Sequence, residues 1–192
     1  MELIFCGDAT DRSPEPNGDR DVLELLRELQ SNPGFYGLAG VTVLKGNHCD
    51  MLVKALAEES PGPAFDLWTW NGGDPDFLPI ARDHQDWLAA LPLMAIRNNY
   101  CFVHAGVRPG VLLNQQKTQD LLWIRRPFLD QDHGLPYRIV HGHTITPNYE
   151  VTVLPHRIAI DCGSFVSGRL ATVEVDPWGH TPPIITYTES AR

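Results

Sequence analysis

Short apolar runs alternate with polar, glycine-containing segments along most of the chain. Runs this short, rich in β-branched and aromatic residues and bounded by glycine, predict buried strands. Five of them end in a segment that holds both a glycine and an ionisable residue. They lie at residues 3–6, 41–44, 100–103, 137–140 and 157–160.

Some of these predicted strands are separated by segments with a helical period. Residues 21–29 predict an amphipathic helix with Val22, Leu25, Leu26 and Leu29 on one face. Residues 50–57 and 83–91 are predicted helices as well. The segment 60–76, which is rich in Pro, Gly and Trp, is interpreted as an insertion loop.

The second half of the chain is poorer in helical patterns. Predicted strands near residues 151–154, 157–160 and 169–175 follow one another without room for a helix, which indicates a hairpin-rich second sheet. The expected fold class is therefore an α/β (α+β) layered sandwich, with two mixed β-sheets flanked by helices.

Composition narrows the function classes. The 192 residues are 43% hydrophobic and 20% charged, as in a soluble globular protein. A formal net charge of −9 argues against non-specific nucleic-acid binding, which needs a positively charged surface. The sequence has no long apolar run and no visible signal peptide, so we expect a cytoplasmic protein without membrane contact. The four cysteines lack CxxC spacing and are interpreted as reduced thiols.

Side chains capable of chemistry follow the predicted strands. The C-terminal ends of strands are where α/β sheets bind ligands. A single histidine or aspartate in such a place is ordinarily structural, but chance does not readily explain five such sites. In chain order the residues are Asp8, Asp11 and Arg12; Asn47 and His48; His104; His143; and Asp161.

These residue types favour a transition-metal phosphoester site. Aspartate, asparagine and two imidazoles form a mixed N/O ligand set, which suits Mn, Fe or Zn better than Ca. Without a thiolate among them, a structural zinc site is not expected. Two metal ions about 3.5–4 Å apart can lower the pKa of a bridging water to about 7 and hold a phosphoryl oxygen. Arginine adds a bidentate donor for phosphate.

The order of these segments resembles the phosphoprotein phosphatase family of calcineurin-like metallophosphoesterases, and its bacterial members in particular. Residues 7–14 resemble the GDxxDRGP motif and residues 46–50 the GNHE motif. Residues 104–106 and 141–144 are similar to the two later histidine motifs. Residues 161–163 and 168–170 resemble the closing strand pair of bacterial members.

The resemblance implies a role for each matching residue. Metal ligands are implied at Asp8, which would bridge two ions, and at Asn47, His104 and His143, which would complete the second. His48, oriented by Asp11, would protonate the leaving alkoxide after direct attack of metal-bound hydroxide on phosphorus. Substrate phosphate binding is implied for Arg12 and Arg125, with Arg126 as an alternative to Arg125, whereas His141 is expected to be structural.

The function implied is metal-dependent hydrolysis of phosphoric esters. A Ser/Thr-type phosphoprotein phosphatase acting on a phosphorylated protein or a small phosphoester is expected. The alternatives are a symmetrical bis(5'-nucleosyl)-tetraphosphate hydrolase and a non-catalytic phosphate-binding domain. Manganese is the expected cofactor, with iron and zinc as alternatives. Residues 1–182 are expected to form one metallophosphoesterase domain, and residues 183–192 a C-terminal tail.

The chain departs from the family pattern at three places. The family's GDxHG motif, which supplies ligands of the first metal, does not precede Gly7, so we expect an N-terminally truncated fold with a weak first metal site. The missing motif has three alternative explanations: a misassigned start codon, a truncated gene, or a protein that is a one-metal or non-catalytic variant. Ser13 stands where the family has glycine, and Cys49 where it has glutamate.

Overall fold

The computed structural model describes residues 1–189 of the chain. It divides into two compact units, the first Met1–Pro92 and the second from Leu93 onwards. Residues 190–192, which belong to the tail expected over residues 183–192, lie outside the described residues.

The first unit begins with a β-α-β arrangement. Strand β1 (Glu2–Phe5) pairs in parallel with strand β2 (Gly40–Val43), and helix α1 (Gly18–Ser31) and a 3-10 helix (Pro33–Tyr36) connect them. Parallel strands need such a crossover because a tight turn cannot join them. The carboxyl ends of both strands therefore lie at the same edge of the pair.

The predicted helix at residues 21–29 is confirmed as part of α1, but its buried face differs from the expected one. The structure buries Leu23 and Leu26, whereas Val22 and Leu25 are 43% and 52% exposed. Apolar residues occupy more than one face of this helix. The tertiary packing, which periodicity alone does not contain, decides which of them is buried.

The rest of the first unit is helical. Helix α2 (Asn47–Leu56) follows β2 and includes the predicted helix over most of residues 50–57. Helices α4 (Leu78–Arg82) and α5 (Gln85–Ala90) come after a 3-10 helix at Pro75–Phe77. The interpretation of segment 60–76 as a loop is wrong, because Pro63–Trp70 form helix α3.

Helix α3 forms because its helix-breaking residues lie only at its ends. Pro63 occupies the first turn, where a missing N–H costs nothing. The Glu58 carboxylate accepts hydrogen bonds from the amides of Gly62, Ala64 and Phe65, and these bonds lower the pKa of Glu58. An acidic group at this helix end is also favoured by the helix dipole.

The second unit contains a five-stranded mixed sheet among its described residues. Its strands are β3 (Met94–Arg97), β4 (Tyr100–Val103), β5 (Arg138–His141), β6 (Thr152–Val153) and β7 (Arg157–Ala159), in the order β3-β4-β5-β7-β6. The three inner strands are parallel, and the two edge strands are antiparallel to their neighbours. The carboxyl ends of the three inner strands thus lie at one edge.

The remaining elements of this unit are short helices and a separate hairpin. Helix α6 (Thr118–Trp123) lies between β4 and β5, and helix α7 (Ser164–Ser167) precedes strand β8 (Arg169–Glu174). Strand β8 pairs antiparallel with β9 (Ile184–Glu189). Two 3-10 helices occupy Leu113–Gln115 and Pro147–Tyr149.

The predicted mixed α/β class is confirmed, with one difference in the sheets. Strands near residues 151–154 and 157–160 do form a hairpin, β6 and β7, but this hairpin completes the five-stranded sheet. Of the three strands predicted for the second sheet, only the one at 169–175 belongs to a separate pair. Short edge strands carry too little pattern to reveal which sheet they join.

A buried cluster fixes the strand ends of the second unit. Strands β4 and β5 pack with residues from helix α6 and from the loop after it. The cluster includes Cys101, Val103, Val107, Leu121, Ile124, Phe128 and Ile139. Close packing of this kind leaves little freedom for the residues that directly follow the strands.

No helix among the described residues is both long and apolar enough to span a lipid bilayer.

Candidate active site

The loop after β1 holds several residues in a rare backbone conformation. Gly7 has a φ of 94°, and the non-glycine residues Asp8, Asp11 and Arg12 have φ values of 55°, 75° and 63°. Each such non-glycine residue costs on the order of 1–3 kcal/mol, and clusters of them are typical of functional sites. Ser13 is not among these residues, so its replacement of glycine adds no left-handed strain.

The Asp8 carboxylate accepts a hydrogen bond at the N-terminus of α2. The His48 backbone N–H donates to Asp8 Oδ1 over 3.2 Å. A Cβ atom on Gly46 would lie 2.1 Å from Asp8 Oδ1 and 2.3 Å from Asp8 N, so only glycine permits this approach. Asn47, the first residue of α2, is buried. Three of the predicted site residues thus come together at one helix end, where the dipole favours an anion.

The predicted His48–Asp11 pair is formed in the structure. The distance from His48 Nδ1 to Asp11 Oδ2 is 2.6 Å, and the two side chains are 6% and 0% exposed. A carboxylate so close holds the proton on Nδ1 and leaves Nε2 as the nitrogen able to exchange a proton with a substrate.

Trp68 of α3 completes this arrangement and was missed by the sequence analysis. Its indole Nε1–H donates to Asp11 Oδ1 over 2.9 Å, so both carboxylate oxygens are hydrogen-bonded. The signal that could have found it is the glycine-free, apolar stretch after Pro63, which has the composition of a short buried helix.

Arg12 is attached to the other end of the same helix. Its Nε and Nη2 atoms donate to the backbone oxygen of Asn71, at 3.0 and 2.8 Å. Asn71 is the C-terminal cap of α3, and a helix C-terminus stabilises a cation. One short helix therefore contacts both Asp11 and Arg12.

Two further ionisable groups lie in this region. Burial, followed by the negative charge of Asp11, raises the pKa of Asp19 to about 6. Burial, followed by the charge of Asp8, raises the pKa of Cys49 to about 11. The Cys49 thiol therefore stays protonated near neutral pH, where it is a poor nucleophile and a poor metal ligand. The sequence analysis did not single out Asp19, because nothing in its local pattern distinguishes it from a surface residue.

The second unit brings His104 and His143 together. His104 directly follows β4 and is 1% exposed, and His143 follows β5 with a φ of 64°. Their ring centroids are 5.1 Å apart, and one nitrogen of each ring lies within 4.8 Å of the other. The Trp123 ring packs edge-on against His143, with centroids 6.0 Å apart. Two imidazole nitrogens placed in this way fit the ligand chemistry of Mn, Fe or Zn.

His141 has the surroundings of a structural residue. Its Nδ1 atom lies 3.1 Å from the oxygen of Gly142, and its Nε2 atom 3.3 Å from a guanidinium nitrogen of Arg157. Burial above all, together with the charge of Arg157, lowers the pKa of His141 to about 3. A neutral ring with Nδ1–H donating to Gly142 and Nε2 accepting from Arg157 accounts for both contacts.

The remaining predicted residues lie in loops of the second unit. Arg125 and Arg126 are both exposed after α6. Arg126 faces Asp130, with 3.5 Å between Nε and Oδ2. Among residues 1–189, no hydrogen bond or ion pair engages the Arg125 side chain. The Oδ1 atom of Asp161 accepts from the Gly163 amide at 2.8 Å, which is a turn-forming contact.

Comparison with known proteins places these features in a family. No curated protein sequence matches the chain significantly. Among solved structures, a "putative diadenosine tetraphosphatase" is similar with a TM-score of 0.68 and 20% identity, over 99% of this chain and 81% of that chain. A hypothetical protein from Pyrococcus horikoshii OT3 has a TM-score of 0.49 and 12% identity, over 98% of this chain and 74% of that one. The first likeness shows a shared fold, and the second is too low to support an inference. The family model for calcineurin-like phosphoesterases matches residues 2–175, and the protein therefore belongs to the calcineurin-like phosphoesterase family.

Proposed function

We propose that this phosphoesterase is a Ser/Thr-type phosphoprotein phosphatase that depends on a divalent transition metal, most suitably manganese. The observation that carries the proposal is the buried His48–Asp11 pair, with 2.6 Å between Nδ1 and Oδ2. A histidine held in this way can act as a general acid, because its tautomer and orientation are fixed by the carboxylate.

The proposed metal ligands are Asp8, Asn47, His104 and His143. Asp8 offers an exposed carboxylate at the N-terminus of α2, and the two histidines offer ring nitrogens within 4.8 Å of one another. This donor set suits manganese, with iron and zinc as the alternatives. A divalent cation bound by them would supply a water of lowered pKa and would stabilise negative charge on phosphoryl oxygens.

The other proposed roles belong to the chain itself. Arg12 binds the substrate phosphate, and its attachment to the Asn71 oxygen fixes the direction of the guanidinium group. Arg125 is the second proposed phosphate-binding arginine, and Arg126 remains the alternative. His48 transfers the proton on Nε2 to the oxygen that leaves phosphorus, while the contact between Nδ1 and Asp11 holds the ring in place.

The chemistry of this pair favours an alkyl phosphoester over a tetraphosphate. A serine or threonine alkoxide is a strongly basic leaving group that requires protonation, whereas a nucleotide leaves as a weakly basic phosphate. The cavity beside Arg12, of about 410 Å³, is lined by more carboxylates than arginines, so it would repel a polyanionic chain that extended past Arg12. The carboxylates are those of Glu15, Asp19, Asp74 and Asp76, and the second arginine is Arg20.

A symmetrical dinucleoside tetraphosphate hydrolase is the second candidate. It is favoured by the fold shared with the structure named as a diadenosine tetraphosphatase. A non-catalytic phosphate-binding domain is the third, and measured turnover separates it from both enzymes.

The test compares two substrates in the presence of Mn²⁺, a phosphoserine peptide and diadenosine tetraphosphate. We expect faster hydrolysis of the phosphopeptide, and a loss of about 10²- to 10⁴-fold in its kcat on His48→Asn, the usual contribution of a general acid. His180→Asn, a change at an exposed histidine, is the control and should leave kcat unchanged. Preference for the dinucleotide would support the second candidate, and phosphate binding without turnover of either substrate would support the third.

A further inference from the structure

Trp68 lies directly behind the proposed general acid. The distance from its Nε1 to Asp11 Oδ1 is 2.9 Å, while Asp11 Oδ2 lies 2.6 Å from His48 Nδ1. The three groups thus form one hydrogen-bonded chain from indole to carboxylate to imidazole. The indole is fully buried, and so is the Asp11 side chain.

The indole is itself held in place by its own helix and the turn after it. The Gly73 amide donates to the Trp68 backbone oxygen over 3.1 Å, and a Cβ on Gly73 would lie 2.1 Å from the indole ring. Phe65 packs edge-on against the indole, with centroids 6.1 Å apart. These contacts pack the ring in the orientation in which its N–H donates to Asp11 Oδ1.

We propose that Trp68 is a positioning residue for the His48–Asp11 pair, an inference that rests on the proposed function. A carboxylate bound only through Oδ2 can rotate about its Cβ–Cγ bond or exchange its two oxygens. The indole N–H restricts both movements, because rotation would break its hydrogen bond between two buried side chains. Trp68 therefore keeps the carboxylate, and through it the imidazole, in the orientation needed for proton transfer.

The alternative is that Trp68 has only a packing role and that its N–H is hydrogen-bonded without orienting the general acid. This alternative predicts a different result. If Trp68 only supports packing, its replacement damages the site as a whole, and all substrates lose rate alike. If it orients the general acid, the loss depends on how much the leaving group needs a proton. Two substrates of different leaving-group basicity distinguish these cases.

The test is Trp68→Phe, which removes the N–H and keeps an aromatic ring. The substrates are a phosphoserine peptide, whose alkoxide needs protonation, and 4-nitrophenyl phosphate, whose phenolate leaves without it. We expect kcat for the peptide to fall about 10- to 100-fold, a part of the full general-acid contribution, and kcat for the aryl ester to fall less than about threefold. Trp70→Phe, at an 89% exposed tryptophan two residues further along α3, should change neither rate.

A double-mutant comparison supplies an independent readout. Asp11→Asn should show the same dependence on the leaving group. If Trp68 acts only through Asp11, the combination of Trp68→Phe with Asp11→Asn should be no slower on the peptide than Asp11→Asn alone. If the double variant lost rate on the peptide by the product of the two single losses, the proposal would be contradicted.

Equal losses on both substrates, or no loss on either, would also overturn it. Circular dichroism and thermal unfolding report whether Trp68→Phe folds. If it does not, β-(3-benzothienyl)alanine at position 68 preserves the shape of the ring and removes only the N–H donor, and the same expectations apply. A wild-type protein that hydrolyses neither ester would refute the proposed function itself. An active wild type with no leaving-group effect would refute the role of Trp68 alone.

Discussion

Asp11 and Asp19 have different environments in the same part of the first unit. Asp11 receives the Trp68 and His48 donors on its two oxygens. Burial and the charge of Asp11 raise the pKa of Asp19 to about 6. A hydrogen bond from the Asp11 backbone lowers this pKa, but it offsets the increase only in part. Position in the fold, rather than residue type, thus decides how readily the Asp19 carboxyl group ionises.

The Asp19 shift predicts a pH-dependent gain in stability on Asp19→Asn. A carboxyl group whose folded pKa of about 6 exceeds its ordinary 3.8 stabilises the protein fully below pH 3.8, and this contribution is lost as the pH rises through 6. The substitution should therefore raise the free energy of unfolding by about 1–2 kcal/mol at pH 7.5 and by much less at pH 4. Solvent screening of the partly exposed Asp19 carboxylate keeps the gain in this range.

Urea unfolding of the chelator-treated protein at these two pH values measures the difference. Asp21→Asn is the matched control, because Asp21 lies in the same first turn of α1 and is exposed. A gain that is equal at both pH values, or that the control also shows, would contradict the prediction.

At the scale of elements, helix α3 is the part of the site that the sequence predicted least well. Strand-end residues could be found because short apolar runs ending in glycine are visible in the sequence. The eight residues of α3 lie between Pro- and Gly-rich ends, which hid a helix only two turns long. Its contacts with Asp11 and Arg12 span more than fifty positions, and local pattern carries no information on them.

The turn that ends α3 provides the element-scale prediction. Gly72 has a φ of +100°, and a Cβ there would lie 2.9 Å from Arg12 Cγ. Gly72→Ala should raise the KM for phosphoester about 5- to 20-fold by displacing Arg12, the equivalent of about 1–2 kcal/mol of lost binding. Steady-state kinetics on the phosphopeptide measures this.

Gly37→Ala is the matched control for backbone strain. Gly37 has a φ of +70°, and nothing lies within 4 Å of the place that a Cβ atom would take. Both substitutions should lower stability by about 1–2 kcal/mol, because both place alanine in the left-handed region. An increase in KM for both variants would show that strain, and not the contact with Arg12, is responsible.

At the scale of the whole molecule, the proposed ligands come from segments that are far apart in the sequence. Asp8 and Asn47 lie in the first half of the chain, and His104 and His143 lie in the second half. The order of the motifs, read as a family resemblance, predicted a calcineurin-like phosphoesterase, and the match over residues 2–175 confirms that broader family. The boundary near residue 92 was not predicted, because no change of composition or linker marks it.

The proposed ligand set predicts that metal binding stabilises the protein only when its members are intact. Mn²⁺ at about 100 times its Kd should raise the free energy of unfolding by about 2.7 kcal/mol, and a chelator should reverse the gain. Asp8→Asn and His104→Asn should each abolish most of this gain. Thermal unfolding with and without Mn²⁺ measures the effect.

The control for this experiment is His180→Asn, since His180 is an exposed histidine of the second unit. It should keep the full response to Mn²⁺. A response that survives His104→Asn would exclude His104 from the ligand set, and one that survives Asp8→Asn would exclude Asp8.

The two occupied oxygens of Asp11 also bear on the timing of catalysis. Because groups of the protein bind both, the imidazole direction is settled when the chain folds and does not wait for a substrate to arrive. The rotational entropy of that ring is lost once per folding event and not once per turnover. Such an acid is ready at first encounter, so the first turnover should need no slow rearrangement of this pair.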